Sequence, residues 1–168
     1  PIYIVGQTYP ELGGSEYYKL RDFVGKSVPK VRVTQARKII ASLINAIDTG
    51  CVRACHDLSE GGLAVAAAEM AFTSEHGIDL HLKRVARPKG MERNDFILFS
   101  ESNSRFLVEV SEKHREDFEK TMKGNAFSLI GSVKKARCLS VYGVNDEKVV
   151  DANLTELRNR WKSPLEGG

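Results

Sequence analysis

Long apolar runs are missing from this sequence. No stretch approaches the roughly 20 apolar residues that cross a bilayer, so a helical membrane class is excluded and no membrane partner is expected. Cysteine is scarce: Cys51, Cys55 and Cys138 are the three present. An odd count with no signal peptide excludes a disulfide framework and predicts a reducing, cytoplasmic setting. A charge excess is also missing. Charged residues make up 28% of the chain, yet the formal net charge is +3. That balance argues against disorder and against a nucleic-acid partner, while the pI near 8.8 still permits a phosphate-bearing ligand. There is no repeat, low-complexity tract or linker. There is no initiator methionine either. The chain opens on Pro1-Ile2-Tyr3-Ile4-Val5-Gly6 and is expected to be an excised domain or processed fragment that starts at a strand.

What is present fits one packed domain over residues 1–168. The 42% hydrophobic content over 168 residues is enough for a core without staples. Ile2 to Gly6 reads as a buried strand, and Ser15 as the cap of a short helix through Tyr17, Tyr18, Leu20 and Phe23. Thr34 predicts the start of the clearest helix. Its Ala36, Ile39, Ile40, Leu43, Ile44 and Ile47 fall on one face at helical spacing, and Gly50 stops it. Cys51 to Cys55 reads as a strand and Glu60 to Ser74 as an alanine-rich helix.

Gly77 to Leu82 alternates like a strand exposed on one face. Asp95 to Ser100 is ambiguous between helix and strand. Arg105 to Val110 is a strand, and Ser111 caps a charged helix that ends at Gly124. Ala126 to Val133 and Ala136 to Val141 are late strands, Val149-Val150 a possible third, and Asn153 to Trp161 a terminal helix. Early alternation followed by clustered strands predicts an α+β (mixed α/β) fold, a β-sheet flanked by helices.

The chemistry concentrates at His56-Asp57-Leu58-Ser59-Glu60-Gly61-Gly62. Polar side chains and two glycines lie between a strand and a helix. A helix start carries unpaired N–H groups and a dipole that favour anions. Gly13-Gly14-Ser15 repeats the glycine-then-helix form. Neither is a P-loop, which needs a Lys-Ser/Thr pair after its glycines.

At these residues the sequence resembles a family. His56-Asp57-Leu58-Ser59-Glu60-Gly61-Gly62-Leu63 with the following alanine helix is similar to the C-terminal domain of phosphoribosylformylglycinamidine synthase, in the aminoimidazole ribonucleotide synthetase superfamily. Other landmarks agree in order. They are Glu11-Leu12-Gly13-Gly14-Ser15-Glu16-Tyr17, then Phe99-Ser100-Glu101-Ser102-Asn103-Ser104-Arg105-Phe106, Phe127-Ser128-Leu129-Ile130-Gly131, and the closing Leu154 to Trp161-Lys162-Ser163-Pro164-Leu165.

The resemblance implies a sheet flanked by helices like that superfamily's C-terminal domain. It also implies an ATP-dependent amidation: formylglycinamide ribonucleotide, ATP and glutamine-derived ammonia give the formylglycinamidine, ADP and phosphate. Magnesium would sit on the nucleotide phosphates. Such synthetases contain two similar halves, and this chain would be the last of four domains, inactive alone. Its partners would be the other domains and, in the small form, glutaminase and bridging subunits. First-half domains carry Gln-Asp in place of His56-Asp57 and Glu-Ser-Gln in place of Glu101-Ser102-Asn103. The change to Asn103 implies an altered, auxiliary site with no catalytic residue.

The candidate substrate- or nucleotide-binding residues are therefore Gly13, Gly14, Ser15, His56, Asp57, Ser59, Glu60, Gly61, Glu101, Ser102 and Asn103. Each has a plainer reading. Asp57 is a magnesium ligand, or it caps the next helix together with Ser59. His56 touches phosphate or moves a proton, or it bonds to loop backbone. Gly61 and Gly62 admit a close neighbour, either ligand or backbone. Gly13-Gly14-Ser15 cradle an anion or form a capped loop. Glu101, Ser102 and Asn103 contact a ribonucleotide or form a solvated turn.

Cys51, Cys55 and His56 lack a fourth zinc ligand, and adjacent Cys55 and His56 point to opposite faces of a strand, which also argues against a Cys–His nucleophile. Lys83, Arg84, Arg87, Lys89 and Arg93 lack the aromatic partners of a nucleic-acid surface. Two competing functions stand beside the synthetase. One is another superfamily enzyme, acting on selenophosphate, thiamine phosphate or hydrogenase maturation. The other is a non-catalytic scaffold module.

Overall fold

The computed structural model describes residues 1–163, so Pro164 and Leu165 of the closing landmark lie outside the described residues. A seven-stranded sheet carries helices on both faces. The strands are β1 Ile2–Val5, β2 Val52–Asp57, β3 Gly77–His81, β4 Phe106–Val110, β5 Phe127–Lys134, β6 Cys138–Tyr142 and β7 Lys148–Asn153. The helices are α1 Glu16–Lys19, α2 Val33–Asp48, α3 Gly62–Phe72, α4 Asn94–Phe99, α5 Arg115–Met122 and α6 Leu154–Lys162. The strand order is β2-β4-β1-β5-β3-β6-β7. β3 and β6 run parallel, and the other described pairings are antiparallel.

β1 shows how the layers arise. All four of its side chains are buried. Alternation sends Ile2 and Ile4 to the α3, α4 and α6 layer, and Tyr3 and Val5 to the α2 and α5 layer. A strand covered on both faces is uniformly apolar, as this one is.

Several expectations change. α2 begins at Val33, one residue before Thr34, and Arg32 at its start makes no side-chain cap. Its buried residues are Ala36, Ile39, Leu43 and Ala46. Ile40, Ile44 and Ile47, grouped with Ala36, Ile39 and Leu43 on one face by their spacing, remain 43%, 52% and 45% exposed. The inward stripe is set by Phe118 and Met122 of α5, which share a cluster with Ile39 and Leu43.

β3 alternates as expected, with Ile78 and Leu80 buried and Asp79 and His81 on the less buried face. Its polar Asp79 is met by the Lys134 ammonium at 2.6 Å. Ser111 caps nothing: its hydroxyl is buried without a partner, and a single 3-10 turn separates it from α5. The ambiguous segment is helix α4. By contrast, Ser15 and Asn153 cap α1 and α6 through their side chains.

Candidate functional site

Three loops converge where β1 and β2 end and β4 begins, since Val5 and Asp57 both face Phe106 in register. They are the loop from Gly6 to Ser15, the turn from Leu58 to Gly61 and the turn from Ser100 to Arg105. Gly6 has a φ of +92° and lies so close to Ser104 that a Cβ would stand 2.6 Å from its carbonyl oxygen. Side chains of the third turn stitch it to the first. The Ser100 hydroxyl donates to the Tyr9 carbonyl. The Ser102 hydroxyl accepts from Tyr9 N at 3.0 Å.

Beneath them lies Arg105, 1% exposed. Its Nε donates to Ser102 O at 2.8 Å and its guanidinium also reaches Thr8 Oγ1 at 3.0 Å. A further N–H donates to the Ser100 carbonyl. No carboxylate lies within salt-bridge distance among the described residues. Burial pulls its pKa down to about 10, against the opposing pull of nearby Glu11 and Glu101.

Glu101 joins the two glycine turns. Its Oε1 accepts from Gly61 N at 2.9 Å and from Glu16 N at 3.1 Å. Its own backbone N–H donates to Glu11 O. Gly61 and Gly62 both have positive φ, +75° and +60°, and a Cβ on Gly62 would meet Ser100 O at 2.3 Å. The close neighbour of Gly62 is therefore backbone. The other turn is equally committed: Gly13 N bonds Ser27 O, Gly14 N bonds Val24 O, and Ser15 Oγ accepts from Tyr18 N.

The solvated-turn reading of residues 101–103 is corrected here. Ser102 is buried and Glu101 half-buried, and Asn103 alone faces solvent.

His56 and Asp57 lie at the end of the edge strand β2. The His56 Nδ1 lies 2.6 Å from Asp57 O, and Nε2 lies 3.1 Å from Glu69 Oε2. Glu69 in turn accepts from Trp161 Nε1 at 3.1 Å, so the ring ties β2 to α3 and α6. Asp57 is exposed and accepts from the Ser59 hydroxyl at 2.6 Å. That bond replaces the expected helix cap, since the start of α3 takes no side-chain cap. Glu60 is exposed beside it. No group of three His, Cys, Asp or Glu side chains is arranged to hold a metal among the described residues.

Sequence reasoning missed Glu11 and Arg32. Arg32 donates to Glu11 Oε1 at 2.8 Å, and its guanidinium lies 3.5 Å from the Tyr9 ring centroid. The other Glu11 oxygen is buried without a partner. A cavity of about 260 Å³ opens beside Arg32 and Tyr9, lined among others by Gln7, Gln35, Lys38, Asn103 and Asn125. An arginine in a loop carries no sequence signal for such a place. Glu11 lies within the glycine landmark, which was the available hint.

The layered sheet, the two glycine turns and the convergent rim define a class. Residues 1–143 match the family described as AIR synthase related protein, C-terminal domain, and the chain belongs to it. More particularly, it is 35% identical to the phosphoribosylformylglycinamidine synthase subunit PurL of Methanothrix thermoacetophila, across 98% of this chain and 21% of that protein. The chain thus spans about a fifth of that relative's length.

Among solved structures, Thermotoga maritima PurL complexed with FGAR superposes with a TM-score of 0.78 at 21% identity, over 93% of this chain and 27% of that one. The same protein complexed with ATP gives 0.73 at 19%, over 93% and 25%. HypE of E. coli, a hydrogenase maturation protein, gives 0.66 at 17%, over 91% and 49%. At such identities these structures establish the shared fold and leave function to the site.

Proposed function

We propose that this chain is the C-terminal domain of the second half of a phosphoribosylformylglycinamidine synthase. The whole synthetase would convert formylglycinamide ribonucleotide, ATP and ammonia to the formylglycinamidine, ADP and phosphate. The observation that carries this reading is the 35% identity to PurL running almost end to end through the chain. The domain supplies no catalytic residue of its own. Its exposed rim groups, Asp57, Ser59, Glu60 and Asn103, and the cavity beside Arg32, are the contacts it offers to a nucleotide or ribonucleotide held by a neighbouring domain. His56 is tied into Glu69 and orients that rim.

Magnesium fits as part of a nucleotide complex. Asp57 would give it one exposed carboxylate, with phosphate and water as the remaining ligands, the pattern magnesium favours. The surface for the other domains is the exposed apolar stretch around Leu20 and Val24, 84% and 76% exposed, together with the outer face of α2. Glutaminase and bridging subunits would supply the ammonia.

The test is direct. The parent protein, given formylglycinamide ribonucleotide, ATP, magnesium and ammonium, should release ADP and the formylglycinamidine, while this chain alone releases none. Turnover by the chain alone would refute the auxiliary role. A parent protein that instead consumes selenide or thiamine phosphate would refute the assignment.

A further inference from the structure

We infer that the anion cradle suggested by the two glycine turns is closed from within: the Glu101 carboxylate occupies it and acts as a latch between α1 and α3. This goes beyond the proposed synthetase role and does not depend on which substrate the parent uses.

The N–H groups of the four glycines, and of Ser15 and Glu16 beside them, are already committed. A phosphate at a glycine turn is held by N–H groups that have no other acceptor. Here Gly13 N and Gly14 N already donate to Ser27 O and Val24 O, and Ser15 N donates to Leu12 O. In the other turn Gly62 N donates to Ser59 O. The two N–H groups that face each other across the junction, Gly61 and Glu16, converge on one atom, Glu101 Oε1, at 2.9 and 3.1 Å. Oxygen, negative charge and distance are those an ionised phosphate oxygen would supply.

Glu101 is not a side chain in passing. Its backbone is fixed to Glu11 O, and its neighbours Ser100 and Ser102 are buried and bonded to the Tyr9 backbone. The Glu101 charge, with that of Glu11, helps the buried Arg105 guanidinium keep its proton against the pull of burial. The two N–H donors of Gly61 and Glu16 hold one oxygen of its carboxylate in place.

An incoming phosphate would have to expel Glu101 from both N–H groups. Glu101 is accordingly a positioning residue: it sets the spacing of the two turns, and ligand contacts fall to the exposed rim instead.

The amide resonances of Gly61 and Glu16 in the isotope-labelled chain report on this without any substitution. Titration with inorganic phosphate should leave both unmoved. A saturable shift of either would overturn the inference. Glu101→Ala empties the cradle. Its melting temperature should fall, and phosphate or acetate should restore about 2–4 °C, the response of a chain this size to about 1 kcal/mol. Wild type and Glu101→Gln, which keeps an acceptor oxygen, should not respond. A folded Glu101→Ala indifferent to both anions would sink the idea. If Glu101→Ala does not fold, the resonance titration on the wild type decides alone. Phosphate-insensitive amides beside an inactive parent would count against the synthetase assignment and leave the latch intact.

Discussion

Arg105 is the residue whose role was least visible in the sequence. At the start of an evident strand, a lone arginine reads as solvated. It becomes buried because Thr8, 97 positions away, closes over it. Replacing it with Met should leave the Thr8 hydroxyl and the Ser100 and Ser102 carbonyls without donors. We expect a loss of roughly 3 kcal/mol or more in urea unfolding, since each stranded buried group costs about 1–3 kcal/mol. His56 was legible as part of a polar motif, but its partners Glu69 and Trp161 were not, because neither is close in sequence.

Asp95 gives a pH-dependent case. The Arg93 guanidinium, and after it the Tyr17 hydroxyl, hold its carboxyl below the ordinary carboxylate value. A folded value below the unfolded one means stability present above about pH 4 and lost as pH falls through the folded value. Asp95→Asn should therefore lower the melting temperature at neutral pH and flatten its decline under acid, as a pH series of thermal melts would show.

At the level of elements, clean periodicity carried furthest. β1, α3, β4 and α6 lie close to where the sequence puts them. Ser15 was readable as a cap because a hydroxyl before a helix satisfies local N–H groups, whereas Asn153, read as the first helical residue, is the cap of α6. Elsewhere the reading failed. α2 is apolar around more than one stripe, so which isoleucines are buried depends on where α5 docks. Ser111 was read as a cap, yet a single 3-10 turn intervenes before α5 and its hydroxyl finds no partner.

The glycine turns were recognised as special, but their occupant was not. Two substitutions separate backbone need from open space. Gly62→Ala forces both a positive φ and contact with Ser100 O, and should cost about 3 kcal/mol or more. Gly14→Ala has a φ of +75° with nothing nearby, and should cost about 1 kcal/mol. Denaturant midpoints of the two variants, measured side by side, would reveal the difference or its absence.

Across the whole molecule, the exposed apolar surface is the feature that composition hid, because 42% hydrophobic content is ordinary. Ile44 is half-exposed on the outer face of α2. Ile44→Lys should change the stability of this chain by no more than about 0.5 kcal/mol, as surface substitutions do. In the parent synthetase it should weaken domain packing and lower activity. Unchanged activity there would show that this face meets solvent.

The sheet order has one more consequence. β1 is the first strand of the sequence and lies inside the sheet, paired with β4 and β5. Its partners Leu107 and Ser128 stand more than a hundred residues downstream of Ile4. During synthesis an apolar Ile-Tyr-Ile-Val segment must therefore wait, unpaired, until most of the domain has left the ribosome. Such late closure slows folding and exposes a strand-forming segment to other chains in the meantime. This domain's vulnerable moment is its birth, and a nascent-chain chaperone is the kind of factor that would govern its yield.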